Sequence, residues 1–203
     1  MKGTTQFAIL GLLTVEPMSG YDLRKHFQES LIYFWNESYG QIYPTLKELA
    51  RKGLVAPVSS EKAGERERQV YSLTAKGRKY LGAWLVRPPK KQAIRSEFLL
   101  KLFLGRSVPP RALSEQIRRF QIEQEQLLAM FLIIRDEVRV EHAKSPDLKY
   151  WMLTVDHGIR MRRADIEWSK KALLVLDSPA ENRNAQPPRA RRQFRDRPSI
   201  RAR

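Results

Sequence analysis

The apolar positions along the chain recur at helical spacing, and the pattern is sharpest between residues 38 and 54. In that stretch three large apolar side chains stand at i, i+4 and i+7, the spacing of one buried helical face. They are Ile42, Leu46 and Leu49. Ser38 and Gln41 have the spacing of a capping box, and Gly53 stands where a helix C-cap belongs. The pattern therefore predicts one helix, bounded by Ser38 and Gly53.

The side of this predicted helix that faces away from Ile42 is positive and rich in hydrogen-bond donors. Its residues are Gly40, Pro44, Lys47 and Arg51, with Gln41 and Tyr43 beside them. Gly40 leaves the N-terminal end slim, and a slim end lets a helix approach the base edges in a DNA major groove. The helix alone fits a surface helix with ordinary solvated charges equally well, so the flanking sequence has to decide.

Two shorter helices are predicted before this one. The first runs from Thr4 or Thr5 to about Val15, where a Glu-Pro pair ends it, and the second runs from Ser19 to about Phe27. Three short helices joined by tight connections are typical of a helix-turn-helix unit.

A β-hairpin is predicted after the third helix. Residues 54–58 and 69–73 are β-prone, and the charged segment 59–68 between them forms the predicted tip. A hairpin in this place is a wing, which winged domains set on the DNA backbone or in the minor groove. Arg66 and Arg68 are its candidate contacts, although neighbouring glutamates weaken the local field and a solvated turn is the alternative.

The remaining chain reads as helices and one linker. A fourth helix follows the hairpin, a Pro- and Lys-rich stretch forms the linker, and three helices come after it. Their predicted ranges are 74–86, 88–94, 96–104, 111–142 and 145–176. Ser145 and Pro146 have the pattern of an N-cap followed by proline at the first helical position.

The two long helices carry apolar positions at alternating steps of three and four, which is a heptad seam. These positions are Leu113, Ile117, Phe120, Gln124, Leu127, Phe131 and Ile134 on one helix and Val155, Ile159 and Ile166 on the other. Gln124 is polar, and one polar residue in a seam favours a fixed register. We expect these residues to hold a dimer together, with packing inside one subunit as the alternative.

The charge pattern points to an anionic partner. The 203 residues include 38 Lys and Arg against 22 Asp and Glu, a formal charge of +16. The excess extends over the whole sequence. The expected divisions are a DNA-binding domain at 1–87, a linker at 88–94, a helical dimerisation domain at 95–176 and a disordered basic tail at 177–203.

The sequence lacks the residues and motifs that several kinds of functional site require. Cysteine is absent, the three histidines are isolated, and no GxGxxG, P-loop, GxSxG or HExxH motif occurs. We therefore expect no metal, no cofactor and no enzyme activity. No apolar run approaches the length of a membrane span, and no signal-peptide pattern stands at the N-terminus, so a soluble protein in the cytoplasm is expected.

Four aromatic residues are candidates for lining a flat cavity that takes an aromatic or hydrophobic effector. They are Trp84, Phe98, Trp151 and Trp168. Aromatic side chains at helical spacing more often belong to an ordinary core, and that alternative stays open.

Several stretches of the first half resemble the PadR family of transcriptional regulators. They read Ala-Ile-Leu-Gly-Leu-Leu at 8–13, Met-Ser-Gly-Tyr-Asp-Leu at 18–23, Gly-Gln-Ile-Tyr-Pro-Thr-Leu at 40–46, Lys-Gly-Leu-Val at 52–55 and Tyr-Ser-Leu-Thr-Ala-Lys-Gly at 71–77. Phe-Leu-Leu-Lys-Leu-Phe at 98–103 and the helix around Trp168 are similar to the C-terminal region of longer family members.

The resemblance implies a winged helix-turn-helix, a two-fold dimer held by C-terminal helices, and repression at an inverted-repeat operator. It also implies that a phenolic acid or planar drug releases the DNA in some relatives. The family's recognition-helix contacts fall on Gln41, Tyr43, Thr45 and Lys47, with Ser38 and Tyr39 at the helix start. Tyr43 either touches phosphate or braces the helix. The arginine-rich tail departs from the family pattern and inherits nothing.

The sequence thus predicts a mainly α protein with an N-terminal winged helix-turn-helix and a C-terminal all-helical dimerisation domain. As a function it predicts a dimeric, sequence-specific repressor that binds double-stranded operator DNA. Lys47, Arg51, Arg66 and Arg68 would contact the DNA backbone, and Gln41 and Thr45 would read bases. A sequence-tolerant architectural nucleic-acid binder and a protein that mainly captures a small molecule are the alternatives.

Overall fold

The computed structural model describes residues 3–31, 34–35, 39–63, 66–90 and 95–178, with the backbone alone at residues 30, 39, 59–63, 66 and 67. The chain divides into two compact units, Met1–Ala93 and Ile94–Arg203. Within the described ranges, every helix is too short or too polar to cross a lipid bilayer.

The first unit combines four α-helices with a three-stranded antiparallel sheet. Its elements are α1 (Thr5–Leu12), β1 (Met18–Ser19), α2 (Gly20–His26), a π-helical turn (Phe27–Leu31), a 3-10 turn (Tyr39–Gln41), α3 (Ile42–Arg51), β2 (Val55–Ala63), β3 (Arg66–Leu73) and α4 (Ala75–Leu85). The strand order is β1-β3-β2. This is a winged helix-turn-helix in which α2 and α3 are the paired helices and β2 and β3 form the wing.

A single apolar cluster holds the first unit together. Its buried members come from all four helices and from the base of the sheet, and they include Ile9, Leu10, Leu23, Ile42, Leu49, Val55 and Leu81. Trp35 and Trp84 pack against this cluster from its edge. The apolar face predicted for the third helix is confirmed, since Ile42, Leu46 and Leu49 are all buried.

The third helix begins later than predicted and ends where predicted. A 3-10 turn occupies 39–41 and α3 starts at Ile42, while Ser38 lies outside the described residues. Pro44 has no amide to return to Gly40, so the first α-helical turn cannot begin there. At the other end Gly53 has a φ of 68°, and its amide donates to Ala50 while the amide of Leu54 donates to Leu49. These bonds form a Schellman cap.

The hairpin is longer than the sequence predicted. Pairing continues into the charged segment, where Glu61 stands opposite Arg68 and Ala63 opposite Arg66. A strand ladder is built from backbone groups and does not require apolar side chains, so the polar tip joins the strands. A register shift lies at Pro57, which lacks the amide that a regular ladder needs.

Two further differences concern the first helices. α1 ends at Leu12 and is followed by turns up to Val15, because Pro17 prevents the helix from continuing. Ser19 caps α2 as predicted, with Asp22 completing a capping box. The strand β1, which pairs Met18 and Ser19 with β3, was not predicted.

The second unit is a long helical hairpin preceded by a short helix. Its elements are α5 (Glu97–Phe103), a 3-10 turn (Gly105–Ser107), α6 (Pro110–Glu141) and α7 (Leu148–Asp177). The helices α6 and α7 run antiparallel, since Ser114 Oγ near the start of α6 donates to Asp177 Oδ1 at 2.9 Å. The predicted start of the last helix is wrong: Ser145 Oγ accepts from the amide of Asp147 in a turn, and α7 begins at Leu148.

The heptad seam joins these two helices of one chain, which corrects the dimer assignment for its seven buried residues. Leu113, Ile117, Gln124, Phe131, Val155, Ile159 and Ile166 are buried in the single subunit, and Phe120, Leu127 and Ile134 are half-buried. Phe131 packs against Val155 and Ile159. Buried side chains cannot also form the contact with a second subunit. A heptad pattern shows that a face is covered but does not specify which helix covers it.

The tightest point of this seam predicts a mutational effect. A Cβ added at Gly158 on α7 would overlap the ring of Phe131. We expect Gly158→Ala to lower the free energy of unfolding by about 1–2 kcal/mol, because the ring has to move out of its packed position. Denaturant titration of the full chain measures the effect. A stability equal to that of the unsubstituted protein would contradict the packing of α6 on α7 described above.

Candidate nucleic-acid interface

The exposed face of α3 carries most of the residues predicted to meet DNA. Gln41, Tyr43, Lys47 and Arg51 are exposed, and Thr45 is half-buried at the edge of the core. The opposite side of the helix is buried, so this face has a fixed direction relative to the unit. The side chains of Ser38 and Tyr39 lie outside the described residues. The structure therefore presents four of these seven predicted side chains on the exposed surface and leaves Thr45 less accessible.

One charge on this face was not considered in the sequence prediction. Glu48 lies on the exposed side of α3, and its Oε1 is 2.7 Å from Lys52 Nζ. The hydrogen bond from Lys52, together with the positive charges of Lys52 and Arg51, lowers the pKa of Glu48. Lys52 is thus neutralised locally. Lys47 and Arg51 form no ion pair with any side chain that the structure describes, so they supply the free positive charge of α3.

Tyr43 packs against the start of α2. A Cβ at Gly20 would lie 2.5 Å from Tyr43 Cε1, so only glycine leaves room for the ring at that position. The ring is still 49% exposed. The same side chain therefore sets the approach of α2 to α3 and presents its free edge to solvent.

The C-terminal end of α3 is held by the start of α4. Thr74 Oγ1 lies 2.8 Å from the carbonyl oxygen of Gly53 and 3.0 Å from that of Leu54, and it accepts from the amide of Gly77 at 3.0 Å. Lys76 Nζ donates to the carbonyl oxygen of Lys52 at 2.8 Å. A positive group at a helix C-terminus is favourable because the last carbonyls carry partial negative charge. Thr74, Lys76 and Gly77 thus fix where α3 ends.

Only part of the wing can be placed. The side chain of Arg66 lies outside the described residues. Arg68, the third residue of β3, is half-buried, and its Cζ lies 4.1 Å from the centroid of the Tyr21 ring on α2. Of the two arginines predicted to act together, only Arg68 has a described side chain, and it is held against the helix-turn-helix.

Trp151 and Trp168, two of the four aromatic residues predicted to line one cavity, lie too far apart on α7 to share it. Trp84 stacks on Phe7 in the first unit, with ring centroids 4.5 Å apart. Trp151 contacts His142 at the end of the helical hairpin. Seventeen residues separate Trp151 from Trp168 on α7, a distance of about 25 Å along a helix. The prediction of a common site is wrong, because helical spacing alone places no two helices side by side.

Phe98 and Trp168 do come together in the second unit. The ring of Phe98 stacks on Phe120 at 4.6 Å, and both rings meet the edge of Trp168 at about 6 Å. A cavity of about 310 Å³ opens beside this aromatic cluster. Its lining residues are Glu97, Phe98, Lys101, Gln116, Arg119, Phe120 and Glu123. Lys101 is paired with Glu97 at 2.6 Å, so Arg119 beside the rings is the group that suits the negative end of a small aromatic molecule.

Comparison with known families decides the class of this protein. Residues 9–83 match the transcriptional regulator PadR-like family, and residues 94–177 match the family described as virulence activator alpha C-term. The two matches follow each other over most of the chain. The chain belongs to the PadR-like family of transcriptional regulators.

The similarity extends to proteins of known structure. The negative transcriptional regulator PadR of Bacillus subtilis is 28% identical over 177 residues, which is 85% of this chain and 97% of the relative. Its crystal structure with operator DNA has a TM-score of 0.76 at 27% identity and covers 86% of this chain and 99% of that one. Its crystal structure with p-coumaric acid has a TM-score of 0.72 at 26% identity, covering 87% and 97%.

Several residues that shape this PadR-like surface were not singled out by sequence reasoning. Tyr21 supports Arg68, Thr74 and Lys76 hold the end of α3, and Glu48 neutralises Lys52. Tyr21, Thr74 and Lys76 act through neighbours that are distant in sequence, whereas Glu48 pairs with Lys52 one turn further along the chain. The stretches that carry the family resemblance include Tyr21, Thr74 and Lys76. The resemblance therefore pointed to these residues but did not show which neighbours they contact.

Proposed function

We propose that this chain is a sequence-specific DNA-binding repressor that acts at an operator. The observation that supports this most directly is α3, whose apolar side is buried while its other side presents Gln41, Lys47 and Arg51 next to the wing. A helix fixed in this way can enter a major groove without changing its own packing. The similar PadR of Bacillus subtilis has a crystal structure with operator DNA, which agrees with this role. A repressor of this kind would act in the cytoplasm.

The proposed contacts divide by chemistry. Lys47, Arg51 and Arg68 would neutralise phosphates, and Arg66 would join them from the wing. Gln41 would read a base, since a glutamine amide pairs with adenine through two hydrogen bonds. Tyr39, Tyr43, Thr45 and Ser38 would support or flank these contacts at the helix start.

We also propose a division of labour along the chain. Residues 1–87 would bind DNA, 88–94 would link, 95–176 would hold two subunits together and 177–203 would form a basic tail. An inverted-repeat operator requires two copies of the recognition helix, and a two-fold dimer supplies them.

The dimer contact is proposed to involve α5 in place of the internal seam. Five of the seven residues of α5 are apolar, and the helix contains no buried residue in a single chain. Leu99, Leu100, Phe103 and Leu104 are all more than half exposed. A second copy of this chain would cover these side chains, because an inverted-repeat operator requires two recognition helices.

A small aromatic acid is proposed as the effector that releases the DNA. The relative from Bacillus subtilis has a structure with p-coumaric acid, and the cavity here is lined by Phe98 and Phe120, which touch Trp168, and by Arg119. Titration with p-coumaric acid should quench the fluorescence of Trp168. If Trp168→Leu responds to the acid as the unsubstituted protein does, the effector binds elsewhere.

Substituting Gln41 tests the proposed base readout. We expect Gln41→Ala to weaken binding to the operator by about tenfold and to leave binding to a scrambled duplex unchanged, because a bidentate base contact is worth about 1–3 kcal/mol of discrimination. Fluorescence anisotropy with both duplexes gives the two affinities. The first duplex to try is the region upstream of the gene for this protein.

The matched control is Lys47→Ala on the same face of α3. This substitution should weaken binding to both duplexes by the same factor. It should also lower the slope of log affinity against log salt by about 1, as the loss of one phosphate contact does. Equal losses for Gln41→Ala on both duplexes would contradict base readout. If the unsubstituted protein shows no sequence preference in a random-duplex selection, it is instead a sequence-tolerant nucleic-acid binder.

A further inference from the structure

The wing strand β3 and the start of α2 are joined by a side-chain contact. Arg68 on β3 lies over the ring of Tyr21, with Cζ 4.1 Å from the ring centroid. Tyr21 remains 48% exposed, so one face of its ring supports the guanidinium while much of the side chain stays open to solvent. The distance is within the range of a favourable cation–π contact.

The backbone around this stack is fixed on both sides. On β3, Val70 pairs with Ser19, which places the following residues of α2 beside Arg68. Ser19 is buried, and its amide and hydroxyl donate to Asp22 Oδ2 at 3.0 and 2.6 Å. The position of Tyr21 between Ser19 and Asp22 is therefore set by a capping box and a strand pair.

The carboxylate of Asp22 stays ionised next to this stack. Burial alone would raise the pKa of Asp22, but the two hydrogen bonds from Ser19 and the positive charges of Arg68 and His26 hold it below its usual value. Its negative charge lies near Arg68 and is tied to Ser19. Arg68 is thus attracted toward α2 by a charge and supported there by a ring.

A stacked arginine remains able to bind an anion. Arg68 lies over the ring at Cζ, and the five N–H donors of a guanidinium point outward from the edge of the group, so donors remain for an anion. An arginine held in one position also loses less conformational freedom when it binds than a free side chain does.

We propose that Tyr21 is a positioning residue that holds Arg68 ready for a DNA phosphate beside the wing strand β3. This inference rests on the proposed function, since it assumes that Arg68 faces DNA in the complex. In this role Tyr21 acts only through Arg68 and makes no essential contact of its own with DNA.

A double-mutant cycle on the full chain tests the inference. Anisotropy titrations at several salt concentrations compare the unsubstituted protein with Tyr21→Leu, Arg68→Ala and the double variant. We expect Arg68→Ala to lower the salt slope by about 1. Tyr21→Leu should weaken binding by about two- to fivefold, the worth of an exposed cation–π contact, and leave the slope unchanged. In the Arg68→Ala background, Tyr21→Leu should have no further effect.

Two conservative variants separate positioning from other roles. Tyr21→Phe keeps the ring and should bind DNA like the unsubstituted protein. Arg68→Lys keeps the charge but cannot stack as a flat group, so it should lose affinity while the salt slope stays the same. These two variants remain informative even if Tyr21→Leu fails to fold, which thermal unfolding of each variant reports.

The outcomes that overturn the inference are distinct. If Tyr21→Leu weakens binding equally with and without Arg68, or if Tyr21→Phe loses as much as Tyr21→Leu, then Tyr21 meets DNA itself. Full affinity in Arg68→Lys would show that the stack is not needed. Failure of the unsubstituted protein to bind any duplex would overturn the proposed function together with this inference, and that titration comes first.

Discussion

Replacing Gly77 with alanine is expected to lower the free energy of unfolding by about 3 kcal/mol, the upper range for an overpacked site. A Cβ at Gly77 would overlap the carbonyl oxygen of Leu54. A backbone carbonyl cannot turn away as a side chain can, and this one also accepts from the amide and hydroxyl of Thr74. Relief of the overlap therefore has to separate α4 from the end of α3. Denaturant titration followed by circular dichroism measures the loss.

The same substitution at Gly82 is the matched control. Gly82 lies in the same helix, is exposed, and has no atom within 4 Å of the position of an added Cβ. Alanine there should raise stability by up to about 1 kcal/mol, because alanine favours a helix over glycine by that amount. Opposite signs for two glycine-to-alanine changes in α4 would establish the close approach. If Gly77→Ala is as stable as Gly82→Ala, the junction between α3 and α4 is described wrongly.

The combined change Leu100→Glu and Phe103→Glu is expected to convert a dimer into a folded monomer. Phe103 is 84% exposed in the single chain, and Leu100 stands one turn before it. Two carboxylates at the centre of an apolar contact lose burial and lack partners, so we expect subunit affinity to fall by at least about 100-fold. Operator affinity should fall with it, because a monomer reaches only one half-site. Sedimentation velocity over a range of concentrations measures the change.

Val86→Glu is the control for this experiment. Val86 is also 84% exposed but lies in the first unit, at the end of α4. It should sediment like the unsubstituted protein, and circular dichroism should show both variants folded. A double variant that still sediments as a dimer would place the contact outside α5. An unsubstituted protein that is a monomer at every concentration would contradict the dimer proposal itself.

Local chemistry made part of the fold predictable from sequence. The buried side of α3, the cap at Gly53 and the capping box of Ser19 with Asp22 all depend on residues within about two helical turns of one another. The wing was predicted from its two β-prone stretches, although its strands proved longer. In the same way the exposed positions of Gln41, Lys47 and Arg51 follow from the helical period once the buried side is known.

The candidate site was predictable only as far as it lies on one element. The contact of Tyr43 with Gly20 and the stack of Arg68 on Tyr21 join elements whose approach depends on the packed core. The strand β1 has two residues and becomes a strand only because β3 offers it a partner. No periodicity in so short a stretch can signal such pairing.

The sequence by itself determined that this protein has a winged helix-turn-helix with one positive helix face, followed by helices with a heptad seam. Only the tertiary structure decided what covers that seam. Phe131 meets Val155 and Ile159 of the same chain, whereas Leu99, Leu100 and Phe103 of α5 stay exposed. The physical reason is that burial is not directional: an apolar stripe loses its contact with water equally well against its own chain or another.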